Sequence, residues 1–292
     1  MLEAVPNVSE GRDASALAAI GDAFSSSAAL LDVHSDADHH RSVFTLVGSE
    51  DDLSDALVAG AEAACQRIDL SRHHGVHPRI GAVDVVPVVP LEPGAMPDAK
   101  RVALVIAERL GSELSLPVFL YAEVGGGRSP AVLRRGGIDE LGRRMHVGEL
   151  VPDHGPAKLD PRVGATIVGA RKPLVAYNLD LGTDDVRIAR EVAARVRESG
   201  GGMPGVQAIG LLLPRGRRVQ VSMNVLDLER SPLHEVVARV TREAASLGVT
   251  VAGGELVGLV PEHVLRAAAA AGARLPDVDD SDVLERRLAT PF

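Results

Sequence analysis

The order of apolar runs and helical patterns in the second half of the chain is the feature that most constrains its fold. A short apolar run, Pro173 to Leu181, precedes a helical pattern that stops at three glycines from Gly200, and Val206 to Leu213 reads as a buried strand. Alternating apolar residues from Val219 to Val225 then predict a hairpin partner with one solvated face. A second amphipathic helix and a strand over 249–260 complete the order β-α-β-β-α-β, the ferredoxin-like motif.

The first half follows the same order more loosely. Leu2 to Val8 is strand-like, Asp13 to Phe24 is helical, and apolar stretches at 30–33 and 43–47 predict two more strands. After a further helix that a capping box at Ser49 opens, Ala82 to Pro90 is too continuously apolar for a strand with one solvated face. We therefore expect this run to be a central strand.

These patterns predict an α/β (α+β) fold of two tandem ferredoxin-like subdomains with a ligand cleft between them. We place the subdomains at residues 1–172 and 173–292, with extra helices from about Pro97 to Met145 and a loop-rich linker from about Val151 to Pro161.

Charge and composition exclude several classes of protein. The chain has 31 basic and 40 acidic residues, a net charge of −9, with no Trp, two Tyr and four Phe, which argues against nucleic acid as a partner. It has no apolar run long enough for a membrane span and no secretory signal, so we expect a cytoplasmic protein with no membrane association. The single cysteine, Cys65, excludes an internal disulfide and reads as a core residue.

Two clusters hold six of the ten histidines. The first cluster, Asp32 to Arg41, alternates His and Asp between two predicted strands, which suits a solvated hairpin loop, a polar active-site wall or a metal site. The second cluster, Arg72 to Asp84, contains His77, which Pro78 restricts to extended geometry.

The second cluster has the composition of an anion site with a proton-transfer group beside it. Gly75 and Gly81 allow close backbone approach, while Arg72 and Arg79 supply local positive charge. Two other readings stay open, a surface turn and a zinc site. The zinc site would require the loop to curl so that His73, His74 and His77 reach one ion.

Six segments, taken in order along the chain, resemble the glutamate formimidoyltransferase family. The segments are Val5–Arg12, His40–Thr45, His73–Asp84, Val151–Pro156, Gly164–Arg171 and Gln220–Asn224. The resemblance implies transfer of a formimidoyl group between N-formimidoyl-L-glutamate and tetrahydrofolate, a step in histidine degradation and one-carbon metabolism. It also implies two α/β halves without the cyclodeaminase domain, tetrahydrofolate as co-substrate, no metal, and a homo-oligomer such as a homodimer.

The resemblance also implies the site residues. The catalytic histidine of the family falls on His77, where a group with a pKa of about 6.5 can move protons near neutrality. The segment that contacts folate falls on Gly155, Pro156, Ala157, Lys158, Leu159, Asp160, Pro161, Arg162, Val163 and Gly164.

Charged side chains complete the expected substrate site. Both substrates carry carboxylates, so Arg41, Arg79, Arg162 and Arg171 are candidates to bind them. Asp36, Asp38 or Asp84 could stabilise the cationic formimidoyl group. Two alternatives remain at this point: a metal-dependent hydrolase of a formimidoyl or amide compound that uses both histidine clusters, and a non-catalytic folate-binding module.

Overall fold

A computed structural model describes residues 1–289. The chain divides into two compact units, Met1–Lys172 and the segment from Pro173 onward. Within the described residues, no helix is long and apolar enough to span a bilayer.

The second unit has the ferredoxin-like order that its sequence pattern predicts. The elements are β8 Val175–Leu181, α6 Val186–Val196, β9 Val206–Leu213, β10 Arg218–Val225, α7 Leu233–Ser246, β11 Val251–Val257, α8 Glu262–Ala270 and α9 Leu284–Ala289. The antiparallel sheet has the order β11-β8-β10-β9, and α6 and α7 pack on one face. The other face of β10 is solvated only in part, whereas the sequence predicts that all of it is. Arg218 and Asn224 are exposed as predicted. Gln220 is buried, and its amide donates to Asp180 and Glu255.

The first unit contains the same motif in an enlarged sheet. The strand order is β3, β4, the β1/β2 pair, β5, β7, β6, and β1 and β2 both lie antiparallel between β4 and β5. The elements are β1 Leu2–Ala4, β2 Asn7–Val8, α1 Ala14–Phe24, β3 Ala29–Asp36, β4 Arg41–Gly48, α2 Glu50–Arg67, β5 Val83–Pro90, α3 Met96–Glu113, β6 Val118–Ala122, α4 Pro130–Arg134, α5 Gly137–His146 and β7 Thr166–Ala170. Strand β5 is central, as its apolar run predicts.

Strands β6 and β7 are an extension that the sequence analysis missed. The predicted extra helices from Pro97 to Met145 are present as α3, α4 and α5. The prediction omitted β6, which lies inside that range and pairs in parallel with β7, which in turn pairs in parallel with β5. Helix α3 covers one face of these strands. Residues of α4 and α5 form a separate apolar cluster with the side chains of the other face, Phe119 and Ile167 among them.

The predicted inter-domain linker is also wrong. The segment 151–161 lies inside the first unit, where Val118 donates its backbone N–H to the His154 carbonyl (2.9 Å) and accepts from Asp153 (2.8 Å). A Cβ on Gly155 would lie 2.0 Å from the Leu116 carbonyl oxygen, so this glycine brings the segment against the start of β6. The segment therefore connects α5 to β7.

The single cysteine packs as the sequence analysis expects. Cys65 contacts the core of the first unit from α2. Burial, with smaller contributions from Asp160 and Glu62, raises the pKa of its thiol to about 12. The thiol stays protonated at neutral pH and is not a nucleophile.

Candidate active site

The two histidine clusters meet in the first unit, and Arg79 ties them together. Its guanidinium donates to the carbonyls of His40 (2.7 Å), His39 (2.6 Å) and His77 (2.8 Å). A Cβ on Gly75 would lie 2.5 Å from the His39 carbonyl oxygen, so this glycine permits the approach that its sequence position predicts. Here Arg79 organises the loop backbone; its role as a carboxylate ligand stays a prediction.

His40 and His73 brace the same junction. Their rings stack with centroids 3.8 Å apart, and His40 Nε2 lies 3.0 Å from a carboxylate oxygen of Glu10. That oxygen also accepts the backbone N–H groups of Gly11 and Arg12. Burial and the neighbouring Arg79 lower the pKa of His73 to about 4, so its ring is neutral at pH 7.

Beside this junction, one buried carboxylate lies between two guanidinium groups. Asp84, at the start of β5, is fully buried, and its Oδ2 accepts from Arg41 Nη1 at 2.6 Å while its Oδ1 accepts the Ile80 N–H. Nη2 of Arg134, from α4, lies 2.6 Å from the same Oδ2. Burial alone would raise the pKa of Asp84, but Arg134 and Arg41 hold it well below its usual range. The three side chains together carry one net positive charge.

Part of the Arg134 guanidinium is left without a hydrogen bond. Its Nε and Nη2 are buried and have no hydrogen-bond partner among residues 1–289, despite the ion pair with Asp84. Arg41, by contrast, donates Nε to Asn7 Oδ1 (2.9 Å) as well as Nη1 to Asp84. Burial lowers the pKa of Arg41 to about 10, which still leaves it a cation at pH 7.

His77 lies on the wall of a cavity next to these charges. The cavity has a volume of about 210 Å³, and its lining residues are Leu70, His73, Gly75, His77, Arg79 and Ile138. His77 Nδ1 lies 2.8 Å from the Pro78 carbonyl, which can only accept, so Nδ1 carries the proton and Nε2 is the free base. Burial, then Arg41 and Arg134, lower the pKa of His77 well below its ordinary value. A neutral histidine of this tautomer can accept a proton.

The Asp36 carboxylate contacts a histidine. Its Oδ1 accepts the backbone N–H of His39 at 2.6 Å and lies 3.0 Å from Nδ1 of the same ring. Burial opposes ionisation, but the contacts with His39 outweigh it and lower the pKa of Asp36 to about 2. The His39 ring is buried and lies 6.2 Å from the His77 ring, centroid to centroid.

The geometry does not favour the metal site that the sequence leaves open. Across residues 1–289, no group of three or more His, Cys, Asp or Glu side chains is arranged to hold a metal ion. His73 Nε2 lies 2.6 Å from Arg79 Nη1, a cation that competes with any metal for that nitrogen. His40 Nε2 pairs with Glu10, so this nitrogen of the stacked His40–His73 pair is also occupied by a contact within the protein.

The predicted folate segment lies partly beside this site. Its end is fixed to the loop of His77, since Ala82 donates to the Val163 carbonyl and Ala165 to the Ile80 carbonyl, each at 2.8 Å. A Cβ on Gly81 would lie 2.0 Å from the Ala165 carbonyl oxygen, which confirms the predicted close approach. The segment begins at Gly155, against β6, so it runs along the edge at which β5, β7 and β6 all start.

Two of the candidate arginines lie outside the cluster. Arg162 is exposed; its Nε lies 3.9 Å from Asp69 Oδ2, and its backbone N–H donates to Asp160 Oδ1 at 2.8 Å. Arg171 follows β7 and donates its N–H to the Val88 carbonyl, four residues along β5 from Asp84, or about 13 Å. Neither joins the Arg41–Asp84 cluster.

Arg134 and Glu10 are the main site residues that the sequence analysis missed. Arg134 lies 50 positions from its partner Asp84, and only the return of the chain through the loop at 123–129 and α4 brings it there. The signal for Glu10 was local, because it follows a strand pattern and precedes the helix at Ala14, where an acid can accept free backbone N–H groups.

Two family profiles match the chain in sequence. The formiminotransferase domain, N-terminal subdomain, matches residues 1–171, and the formiminotransferase domain matches residues 176–274. The chain therefore belongs to the formiminotransferase family, in which each unit corresponds to one of the two subdomains.

Individual relatives match over most of the chain. A glutamate formimidoyltransferase from Thermoplasma acidophilum is 38% identical over 99% of this chain and 97% of its own length, and one from Streptococcus pyogenes serotype M1 is 36% identical over 99% and 98%. The formimidoyltransferase-cyclodeaminase of Sus scrofa is 41% identical over 92% of this chain, which spans 52% of that protein. Among solved structures, a microcompartment protein from Desulfitobacterium hafniense aligns at 10% identity with a TM-score of 0.23, too weak a likeness to carry an argument.

Proposed function

We propose that this chain is a glutamate formimidoyltransferase, which moves the formimidoyl group between N-formimidoyl-L-glutamate and tetrahydrofolate. Relatives of that name match along almost its entire length. The observation that carries the proposal is His77, a neutral base on a cavity wall beside two guanidinium groups. A base next to positive charge suits a reaction that moves a proton on a substrate with carboxylates.

His77 is the proposed proton carrier. Tetrahydrofolate supplies the nitrogen nucleophile that takes up the formimidoyl group. His77 Nε2 removes the proton from that nitrogen and returns it to the glutamate nitrogen as the bond from that nitrogen to the formimidoyl carbon breaks. The Pro78 carbonyl keeps Nδ1 protonated, so that Nε2 is the only ring nitrogen able to do this. The nearby Arg41 and Arg134 disfavour the imidazolium, which promotes return of the proton.

The Arg41–Asp84–Arg134 cluster is the proposed carboxylate site. Two cations on one carboxylate leave a positive charge to attract an anion, and the Nε and Nη2 groups of Arg134 are donors that a substrate carboxylate can satisfy. In this proposal Asp84 holds both guanidinium groups in place. This positioning role replaces the one expected from the sequence, direct contact with the formimidoyl cation.

The residues near His77 fit part of a folate. A cavity of about 210 Å³ is smaller than the roughly 300–1,000 Å³ of ordinary ligand pockets, so it suits the reacting end of the substrates and not a whole folate. Segment 155–164 is proposed to contact the rest of the folate. Leu159 packs on the apolar cluster under α5, while Lys158 and Arg162 are exposed cations suited to the glutamate tail of the folate. A cytoplasmic location and a homodimeric state stay predictions.

The direct test is the rate of formation of 5-formimidoyl-tetrahydrofolate by the wild type and by His77→Ala. We expect the substitution to lower kcat by at least about a hundredfold, the usual scale for loss of a general base. His146→Ala is the matched control, because His146 is an exposed histidine at the end of α5 in the same unit, and it should leave the rate unchanged.

Each alternative gives a different result in this assay. Turnover of formimidoylglutamate that needs no folate and is abolished by a chelator would establish the metal-dependent hydrolase instead. Folate binding without turnover, unchanged in His77→Ala, would establish the non-catalytic module.

A further inference from the structure

A buried base without a partner lies beside His77. The His39 side chain is only 8% exposed, and its Nε2 has no hydrogen-bond partner among the residues that the structure describes. Leaving a buried polar nitrogen unpaired destabilises the folded protein, so such an atom in a site requires an explanation. The proposed reaction assigns no role to it.

Asp36 decides what this nitrogen can bind. Its carboxylate accepts only, so in the neutral ring Nδ1 carries the proton and Nε2 has the lone pair. The same Asp36 oxygen also accepts the His39 backbone N–H, and Arg79 donates to the His39 carbonyl. Hydrogen bonds therefore hold the backbone of His39 as well as its ring. His39 Nε2 is thus a positioned acceptor that needs an N–H or O–H donor.

The neighbouring His77 also presents a hydrogen-bond acceptor at Nε2. Its Nε2 also has a lone pair, because the Pro78 carbonyl holds its Nδ1 proton. Two Nε2 atoms that each present a lone pair cannot hydrogen-bond to each other, and at a centroid separation of 6.2 Å a donor group from a third molecule can bridge the two rings. His77 lies on the cavity wall and His39 lies behind it, so a substrate group that reaches past His77 could supply this donor.

We propose that His39, oriented by Asp36, is a specificity residue that accepts a hydrogen bond from the terminal nitrogen of the formimidoyl group and thereby selects a formimidoyl donor over a formyl donor. This inference rests on the proposed function. A formimidoyl group carries N–H on both nitrogens, so it supplies one donor to His39 and one to His77. A formyl group places a carbonyl oxygen at the first position, where two acceptors face each other and neither is satisfied.

The test measures affinity as well as turnover. Binding of N-formimidoyl-L-glutamate and of N-formyl-L-glutamate is measured by calorimetry at pH 8, and kcat/KM is measured for both donors. We expect the wild type to prefer the formimidoyl compound by at least tenfold, the scale expected when a site built for a donor meets a group without one.

Two variants isolate the acceptor. His39→Gln keeps a polar group of similar reach whose amide can present either its oxygen or its nitrogen, so both donors should bind within a few-fold of each other. His39→Leu removes the acceptor and should lower affinity for the formimidoyl compound alone. His146→Ala, on the exposed end of α5, should retain the wild-type preference.

The possible failures are distinguishable. Equal losses for both donors in His39→Gln and His39→Leu, with the preference intact, would show that His39 is only structural and would overturn the inference while the transferase remained. A wild-type binding preference that His39→Gln abolishes, without any turnover, would support the inference and overturn the proposed function. A wild type with no preference would overturn the inference.

Discussion

The two units share one strand order but differ in the polar groups they bury. In the second unit, the buried polar side chains on the sheet face are amides, Asn178 and Gln220, and both donate to Glu255. In the first unit, the same motif buries Asp84 between two guanidinium groups and places His39 and His77 beside them. The second unit therefore repeats the fold of the first without its charged and histidine-containing site, because such a site depends on a few residues at strand ends and in loops.

The largest expected difference between the two units is in the free energy of unfolding that each loses when a buried or partly buried acid is replaced by its amide. Asp84→Asn removes the carboxylate that pairs with both Arg41 and Arg134 and should lower the free energy of unfolding by about 3–5 kcal/mol, since it leaves buried charge unpaired. Glu255→Gln changes a partly exposed carboxylate that accepts from two neutral amides, and it should cost about 1 kcal/mol or less. Urea denaturation of both variants measures the difference, and equal losses would show that the two polar networks are equivalent.

A smaller difference should be seen on acidification. His73 has a pKa of about 4 in the folded protein against about 6.5 when unfolded, so between these values the unfolded state binds more protons and the folded state loses stability as pH falls. The lowered pKa values of His40 and His77 act in the same direction.

Hydrogen exchange, corrected for the intrinsic effect of pH, measures this loss region by region. Peptides over 36–41 and 73–80 should lose protection between pH 6.5 and 4 before peptides from β8 and β10 do. In His73→Gln, which cannot titrate, the loss should be shallower. Uniform loss across both units would argue against a histidine-specific cause.

The sequence predicts much of this fold where one face of an element is solvated. The β10 strand alternates apolar and polar residues, so its period is visible, and the helices show a period of 3.6. Strand β6 gives no such signal, because it has helices on both faces and four of its five residues are buried. The segment 151–161 has a polar, loop-like composition, and its attachment to β6 depends on backbone pairing that side chains do not reveal.

The site was predictable to the extent that its contacts are local. Asp36 and His39 are three residues apart, and the loop from His73 to Asp84 is one continuous segment. The pairing of Asp84 with Arg41 and Arg134 depends on sheet register and on the placement of α4, which only the folded chain defines. The unpaired Nε2 of His39 is likewise a property of packing and not of sequence.

The proposed mechanism requires a neutral His77 with a free Nε2 in the first unit. Nitrogen-detected NMR of protein with ¹⁵N-labelled histidine, assigned by comparison with His77→Ala, reads both the charge and the tautomer of this ring as pH is lowered. We expect the Nδ1–H tautomer at pH 7 and protonation only well below pH 6.5. An Nε2–H tautomer, or titration at or above pH 6.5, would contradict the proposed role of His77 as the base.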